Sequence, residues 1–486
     1  MAGAMNHPFI GREALTRASL KAWQVGLLMI LVCITLATRF YRLETPPKKI
    51  FDEVYFVTFA QNYVDGEHFI DAHPPLGKLL ISLGIRTFGS RPLGWRVSGA
   101  AFGSALVVLL FALAYKLFGS YPLALLASSY LALDGLFLVQ SRTGLIEIYH
   151  VFFNVLAFVF FLTAREQLQG RKRSLCLLLA GTSAGLGLSV KWSSAITIII
   201  LFGAYLYLEV LEGGKRREQD GNRGGYRPGF RGRPAGRDVR DRGRGEGRGG
   251  AAARSKAHDQ GRHEGGSWRA LGGVLGPTRR GVTYFGLVPA LVYALSWTPH
   301  VLQFGYTPWD VVRLQWAMLS FHAKLQATHL YTSPWWSWPF LVRPISFYYL
   351  ETGRFLTTTV RGVVALGNPI LWWVGVPSVL SGVYRAVRFR QRRLIFVSLG
   401  FFGYYLYWAL VPRSTFIYNY MDAMPFLFIL TAYHTVWLAG RGRLRLLAFA
   451  FVAGVVAAFI YFYPVWTAIP GPRNLYFSRM WFDSWI

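Results

Sequence analysis

The run WQVGLLMILVCITLATRF (Trp23–Phe40), with YRLETPPKKIFDEVYF (Tyr41–Phe56) directly after it, decides the architecture. The first stretch is apolar almost to its end. At about 1.5 Å of rise per helical residue it is long enough to cross a hydrocarbon core of roughly 30 Å. It has no small-residue cleavage pattern, so it reads as a retained anchor. Runs of the same kind recur near Val97–Phe118, Tyr121–Ser141, Gly144–Ala164, Ser174–Val190 and Ser193–Val210. They continue near Gly281–Thr298, Ala365–Tyr384, Leu394–Val411, Met421–Gly440 and Leu446–Tyr463. The pattern predicts an all-α integral membrane protein of about eleven spans. Composition agrees, with 53% hydrophobic and 15% charged residues and a mean hydropathy of +0.32. A soluble domain carries about 25% charged residues, and the alternation of a membrane barrel is not visible.

The formal charge of +29 in 486 residues suggests nucleic acid until it is located. Lys and Arg resist translocation across the membrane. With the N-terminus inside, Arg12, Arg17 and Lys21 precede the first span in the cytoplasm. Eleven spans also place Arg165, Arg171, Lys172 and Arg173 inside, then Arg385, Arg388, Arg390, Arg392 and Arg393, then Arg441, Arg443 and Arg445. The charge is therefore topological, and no nucleic-acid partner is expected. The expected localisation is the plasma (inner) membrane, multi-pass. Cys33 and Cys176 lie inside apolar runs, so no disulfide framework is implied.

Three parts follow. Residues 1–210 form an N-terminal membrane module with a first extracytoplasmic loop at 41–96. Residues 211–280, mostly Gly, Arg and other polar types, form a cytoplasmic linker too polar to bury a core, expected to be disordered. Residues 281–486 form a C-terminal membrane module with an extracytoplasmic loop at 299–364. In the first loop Phe56, Phe59, Ala60 and Tyr63, then Leu79, Leu80 and Leu83, recur at helical spacing, which predicts helices along the membrane face.

That loop also carries the chemistry. FDEVYFVTFAQNY (Phe51–Tyr63) is followed by DAHPPLGKLL (Asp71–Leu80). Two adjacent carboxylates, Asp52 and Glu53, fit a general base whose pKa burial and a like charge raise. Taken as an isolated pair they fit a solvated helix start better, since acids are favoured there. Pro74 and Pro75 rigidify a turn before a helix and so fix His73 and Lys78 as site-shaping residues.

At this point the chain resembles the protein O-mannosyltransferase family. Asp52-Glu53 followed by HPPLGK is similar to its first lumenal loop, and GWRVSGAAFG (Gly94–Gly103) to the start of its second span. SRTGLIE (Ser141–Glu147) resembles an Arg-plus-acid segment, with Glu147 where an Asp is usual. GLSVKW (Gly187–Trp192), LGNPILWW (Leu366–Trp373) and PRSTFIYNY (Pro412–Tyr420) resemble later segments. The match covers nearly the whole chain outside the Arg-Gly stretch. Residues 299–364 are too few for the β-trefoil MIR domain of eukaryotic members, so the resemblance is to the bacterial type.

The resemblance implies the GT-C glycosyltransferase fold with its site at the outer membrane face. It implies a polyprenyl-phosphate sugar donor, mannose, and inverting transfer to Ser or Thr hydroxyls of exported proteins or peptides. Asp52 then serves as base, with Glu53 orienting the acceptor or sharing the work. A lipid-phosphate leaving group needs cations. Lys191, Arg96, Arg142 and Arg413 fall at outer span ends, where snorkelling and phosphate binding are both open readings. Arg142 with Glu147 also fits an ion pair. No metal ligand is assigned. His322 and His329 leave a divalent metal open, while the nearby Trp335, Trp336 and Trp338 mark a membrane interface. Two alternatives stand beside this: a GT-C transferase with another lipid-linked sugar or a lipid or glycan acceptor, and a secondary transporter. The latter expects internal repeats, and the Asp-Glu and HPP segments do not recur.

Overall fold

Apolar periodicity becomes helix along nearly all of the chain. The computed structural model describes residues 20–167, 170–224, 275–324, 329–354 and 358–486. The helices are α1 Ala22–Phe40, α2 Glu53–Asp65, α3 Leu76–Phe88, α4 Pro92–Phe118, α5 Tyr121–Ala132, α6 Gly135–Ser141, α7 Glu147–Glu166, α8 Arg171–Leu188 and α9 Ala195–Gly224. After the Arg-Gly stretch come α10 Leu275–Phe304, α11 Pro308–Lys324, α12 Pro369–Arg388, α13 Arg392–Tyr407, α14 Met424–Ala439 and α15 Leu444–Trp466. Among the described residues eight helices are long and apolar enough to cross a membrane, or nine if α5 and α6 are one span bent by 62°. The other two expected spans coincide with α8, which opens on Arg171, Lys172 and Arg173, and with α14, which has 16 residues.

The bend between α5 and α6 has a local cause. Asp134 is fully buried there and accepts from Phe137 N at 3.1 Å, Asn368 N at 3.1 Å and Trp372 Nε1 at 2.6 Å. Its carboxylate caps α6 and pins the start of α12, where Asn368 accepts from Leu371 N. A buried acid satisfied this way is a structural joint.

The loop expected at 41–96 forms two helices, as the spacing predicts. On α2 the residues Phe56, Ala60 and Tyr63 are buried. On α3 the buried face is Lys78, Ile81, Ser82 and Ile85, while Leu83 is exposed, so the leucine stripe points away from the protein core. The α3–α4 crossing needs glycine. A Cβ on Gly84 would lie 2.2 Å from Gly94 O.

The loop expected at 299–364 departs from a purely helical reading. Strands β1 Ile345–Thr352 and β2 Thr359–Ala365 pair antiparallel from Ile345↔Ala365 to Thr352↔Thr359, and Gly471–Pro472 adds a short third strand, β3. The stretch ISFYYLET is rich in aromatic and β-branched residues, which favour a pleated half-buried surface.

Residues 1–200 with 286–486 form one compact unit, and Leu201–Phe285 form a second. Within the second, Gly281 packs on Phe202 and Tyr205, and Arg280 pairs with Glu209 at 3.6 Å. Helix α9 runs past Val210 to Gly224, and α10 begins at Leu275, so helix takes both ends of the expected linker. The rest of the expected linker, 225–274, lies outside the described residues.

Candidate active site

The two adjacent carboxylates have opposite fates. Glu53 starts α2 fully buried and accepts four hydrogen bonds: from Arg96 Nε and Nη2, both 2.8 Å, from Ile50 N at 3.0 Å and from Gly144 N at 2.7 Å. Gly144 must be glycine to make its contact, since a Cβ there would lie 2.8 Å from Val57. Asp52, one residue earlier, has no hydrogen bond or ion pair on its carboxylate among the described residues. It is half-buried, follows Phe51 in the left-handed region (φ 48°), and Phe51 stacks on Phe347 at 4.2 Å. A non-glycine residue there stores strain of about 1–2 kcal/mol, held by the surrounding packing. Burial, then the field of Glu147, pushes the Asp52 carboxyl up to about 7 against the opposing field of Lys191.

The four cations Lys191, Arg96, Arg142 and Arg413 also divide. Arg96 is fully buried and spends all five N–H bonds: two on Glu53 and the others on the carbonyls of Leu43 (3.1 Å), Pro46 (2.8 Å) and Lys48 (3.1 Å). Arg142 caps the end of α1, donating to the carbonyls of Thr38, Arg39, Tyr41 and Arg42 between 2.8 and 3.1 Å. It does not pair with Glu147. Instead Glu147 Oε1 faces Lys191 Nζ at 3.5 Å. Lys191 also donates to Asn419 Oδ1 at 3.3 Å and lies over the rings of Tyr418 (5.6 Å) and Trp408 (5.8 Å). Arg413 is half-buried and carries no hydrogen bond or ion pair among the described residues. Of the four, Lys191 and Arg413 have N–H groups to offer a ligand.

Lys78 holds the HPP turn. It is fully buried, donates to the carbonyls of His73 (2.7 Å) and Pro74 (2.5 Å), and pairs with Asp71. Desolvation lowers its pKa and Asp71 opposes that. His73 tilts on Phe56 at 5.8 Å and on His322 at 5.4 Å. Burial, then the fields of Lys78, Lys191, His322 and Arg413, pulls its pKa well below the usual histidine value. His329 is separate, accepting from Tyr331 N and packing on Phe416. Among the described residues no group of three or more His, Cys, Asp or Glu side chains is placed to hold a metal.

Several site residues escape the sequence reading. Asp71 is the first residue of the quoted DAHPPLGK string, and Tyr418 and Asn419 lie inside PRSTFIYNY, so their signal was present in the motifs. Asp422 gave none. It is buried, accepts from Asn154 at 3.1 Å and Ser193 at 3.3 Å, and lies 3.0 Å from His150. This polar cluster backs the Lys191 turn.

Comparison with known proteins follows the same outline. The sequence model described as dolichyl-phosphate-mannose-protein mannosyltransferase matches residues 29–98 and 92–212, and that of the C-terminal four-span region of protein O-mannosyltransferase matches 309–485. A polyprenol-phosphate-mannose–protein mannosyltransferase of Mycolicibacterium smegmatis is 28% identical over 94% of this chain and 92% of its own length. The protein of that name from Mycobacterium tuberculosis is 27% identical over 96% and 92%. Among solved structures, the Saccharomyces cerevisiae Pmt1-Pmt2 complex bound to the sugar donor superposes with a TM-score of 0.75 at 14% identity, covering 98% of this chain and 94% of that one.

Proposed function

The chain belongs to the protein O-mannosyltransferase family, and from that premise we propose that its site transfers mannose from a polyprenyl phosphate to Ser or Thr hydroxyls of exported proteins, with Asp52 as the base. It is a multi-pass membrane mannosyltransferase of the GT-C fold acting on proteins. The donor class, the acceptor hydroxyl, the plasma (inner) membrane and the extracytoplasmic side are our reading. They are supported by the relatives' names, by the asymmetry of Lys and Arg along the chain, and by the site's chemistry.

The observation that carries the base assignment is the contrast within Asp52-Glu53. Glu53 is consumed by four donors, whereas Asp52 is unligated and poised near neutrality. A base works best with a pKa near the working pH. Asp52 takes the proton of the acceptor hydroxyl as its oxygen attacks the anomeric carbon. The bond from that carbon to the phosphate oxygen breaks, and its electron pair leaves on the phosphate. One base and no covalent intermediate suffice for inversion. Lys191 and Arg413 meet the growing phosphate charge, and the faces of Tyr418 and Trp408 hold the Lys191 ammonium in position. Arg96 holds the loop rather than the donor, because its five N–H groups are spent on backbone and Glu53, and Arg142 commits Nη1 and Nη2 to the carbonyls at the end of α1. His73 and Lys78 shape the wall beside Asp52.

Purified protein with labelled polyprenyl-phosphate mannose, offered peptide and lipid acceptors separately, tests the reading. Label on the peptide is expected, and label on lipid alone would overturn the protein-acceptor assignment. Lys191→Ala should weaken donor binding more than peptide binding. An unchanged donor response would remove Lys191 from the phosphate site.

A further inference from the structure

Helix α11 lies outside every motif discussed above, yet it is fastened to both halves of the site. Its exposed stripe is Trp309, Val312, Trp316 and Leu319. The opposite face carries Gln315, Met318 and His322. Tyr293 OH donates to Gln315 Oε1 at 2.5 Å and accepts from Trp192 Nε1 at 2.9 Å, which ties the helix to the residue after Lys191. One helical step of seven further on, His322 Nε2 donates to Ala72 O at 2.8 Å, next to His73. The His322 ring also lies 6.2 Å from Trp192 and 5.4 Å from His73.

The bond to Ala72 O fixes the tautomer, since a carbonyl only accepts. Nε2 carries the hydrogen, and in the neutral ring Nδ1 is left with a lone pair. That Nδ1 is buried and has no hydrogen-bond partner among the described residues. A buried polar atom without a partner calls for a ligand or a proton. The charged and titratable groups facing His322 are Arg413, Lys191, Asp71 and His73, with Lys78 behind His73. Burial, then the field of Arg413, lowers the His322 pKa, and the cation Lys191 adds to this while the bond to Ala72 O and the charge of Asp71 oppose it. An anion placed between Lys191 and Arg413 reverses that field.

We propose that His322 is a binding residue for the leaving lipid phosphate, taking up a proton on Nδ1 and donating it as a hydrogen bond once the phosphate is released from the sugar. The proposal rests on the mannosyl-transfer reading. The donor is a phosphodiester with one negative charge. When the anomeric C–O bond breaks, its electron pair stays on the phosphate oxygen, giving a monoester with two charges, and the acceptor proton sits on Asp52. His322 then takes one proton from hydronium at Nδ1, leaving water, so the product complex holds an imidazolium against a dianion. Helix α11 thereby senses whether the lipid product is still bound.

The test measures binding of polyprenyl phosphate to Asp52→Asn protein, which removes the base's own titration, at pH 8 and pH 6.5. Affinity is expected to rise about tenfold on acidification, the span of one charge-assisted hydrogen bond. In Asp52→Asn/His322→Gln the amide nitrogen can keep the bond to Ala72 O, but Nδ1 is gone. There the pH dependence should disappear and affinity at pH 6.5 should fall about tenfold, with the melting temperature kept. Equal pH dependence in the two proteins would overturn the proposal. Should the double variant not fold, Asp52→Asn alone decides, since no tightening between pH 8 and 6.5 contradicts it. Mannose transfer by the wild type is the separate arm. Its absence would indict the functional reading, whereas transfer with product binding indifferent to His322 would indict only this inference.

Discussion

Asp52 and Glu53 are neighbours with opposite environments, and substitutions should separate them. Glu53→Gln leaves the Arg96 guanidinium buried against a neutral partner, and such a broken pair costs about 3–5 kcal/mol. Loss of stability is therefore expected, read as a lower melting temperature in detergent. Asp52→Asn should do the reverse at alkaline pH. The folded carboxyl is raised to about 7 from an ordinary value near 4, so the folded state binds the proton more tightly than the unfolded one. Its burial costs nothing below about pH 4, costs progressively more up to about 7, and costs its full amount above that. Asp52→Asn should thus raise the melting temperature at pH 8 relative to its effect at pH 5. An equal shift at both pH values would contradict the raised pKa. Activity should follow the same group, rising with pH along a limb near 7. Glu147→Gln, which removes a like charge facing Asp52, should move that limb to lower pH. The Asp-Glu string was legible in the sequence, but which of the two was free was not, because that depends on Arg96 and Gly144, distant in the chain.

At the scale of elements, polar side chains serve as joints in an apolar frame. Lys78 ties the HPP turn through two carbonyls and Asp71. Lys78→Met keeps the apolar stem and removes all three contacts, so it should lower transfer at least tenfold while leaving donor binding at Lys191 nearly intact. Donor affinity falling in parallel with turnover would show that the turn shapes the donor side instead. The helices of the loop at 41–96 were legible from Phe56, Ala60 and Tyr63 at helical spacing. The inward face of α3 was not, because Lys78 and Ser82 look solvent-facing in a pattern and are buried by contacts that a pattern does not encode. The cations at the span ends were legible as a group. Their division into spent and available ones required the carbonyls of Leu43, Pro46 and Lys48 for Arg96, and the end of α1 for Arg142. The sheet formed by β1 and β2 was hidden inside a stretch read as loop, since each strand is stabilised by the other.

For the whole molecule, hydropathy and charge asymmetry carried most of the architecture. Helices occupy all eleven expected spans, although length and hydropathy qualify eight or nine of them among the described residues. The Arg-Gly stretch carries none of the residues assigned to the site. Deleting 225–274 should leave mannose transfer within about twofold of the full chain, and loss of turnover at normal expression would assign that stretch a regulatory role. The central claim is that one carboxylate, Asp52, acts as base toward the acceptor hydroxyl that attacks a lipid-phosphate sugar. It is tested most directly by measuring donor affinity and peptide mannosylation side by side in Asp52→Asn. The account predicts donor binding within about threefold of wild type and turnover reduced by about a hundred- to ten-thousandfold. Near-wild-type turnover in that variant would contradict it.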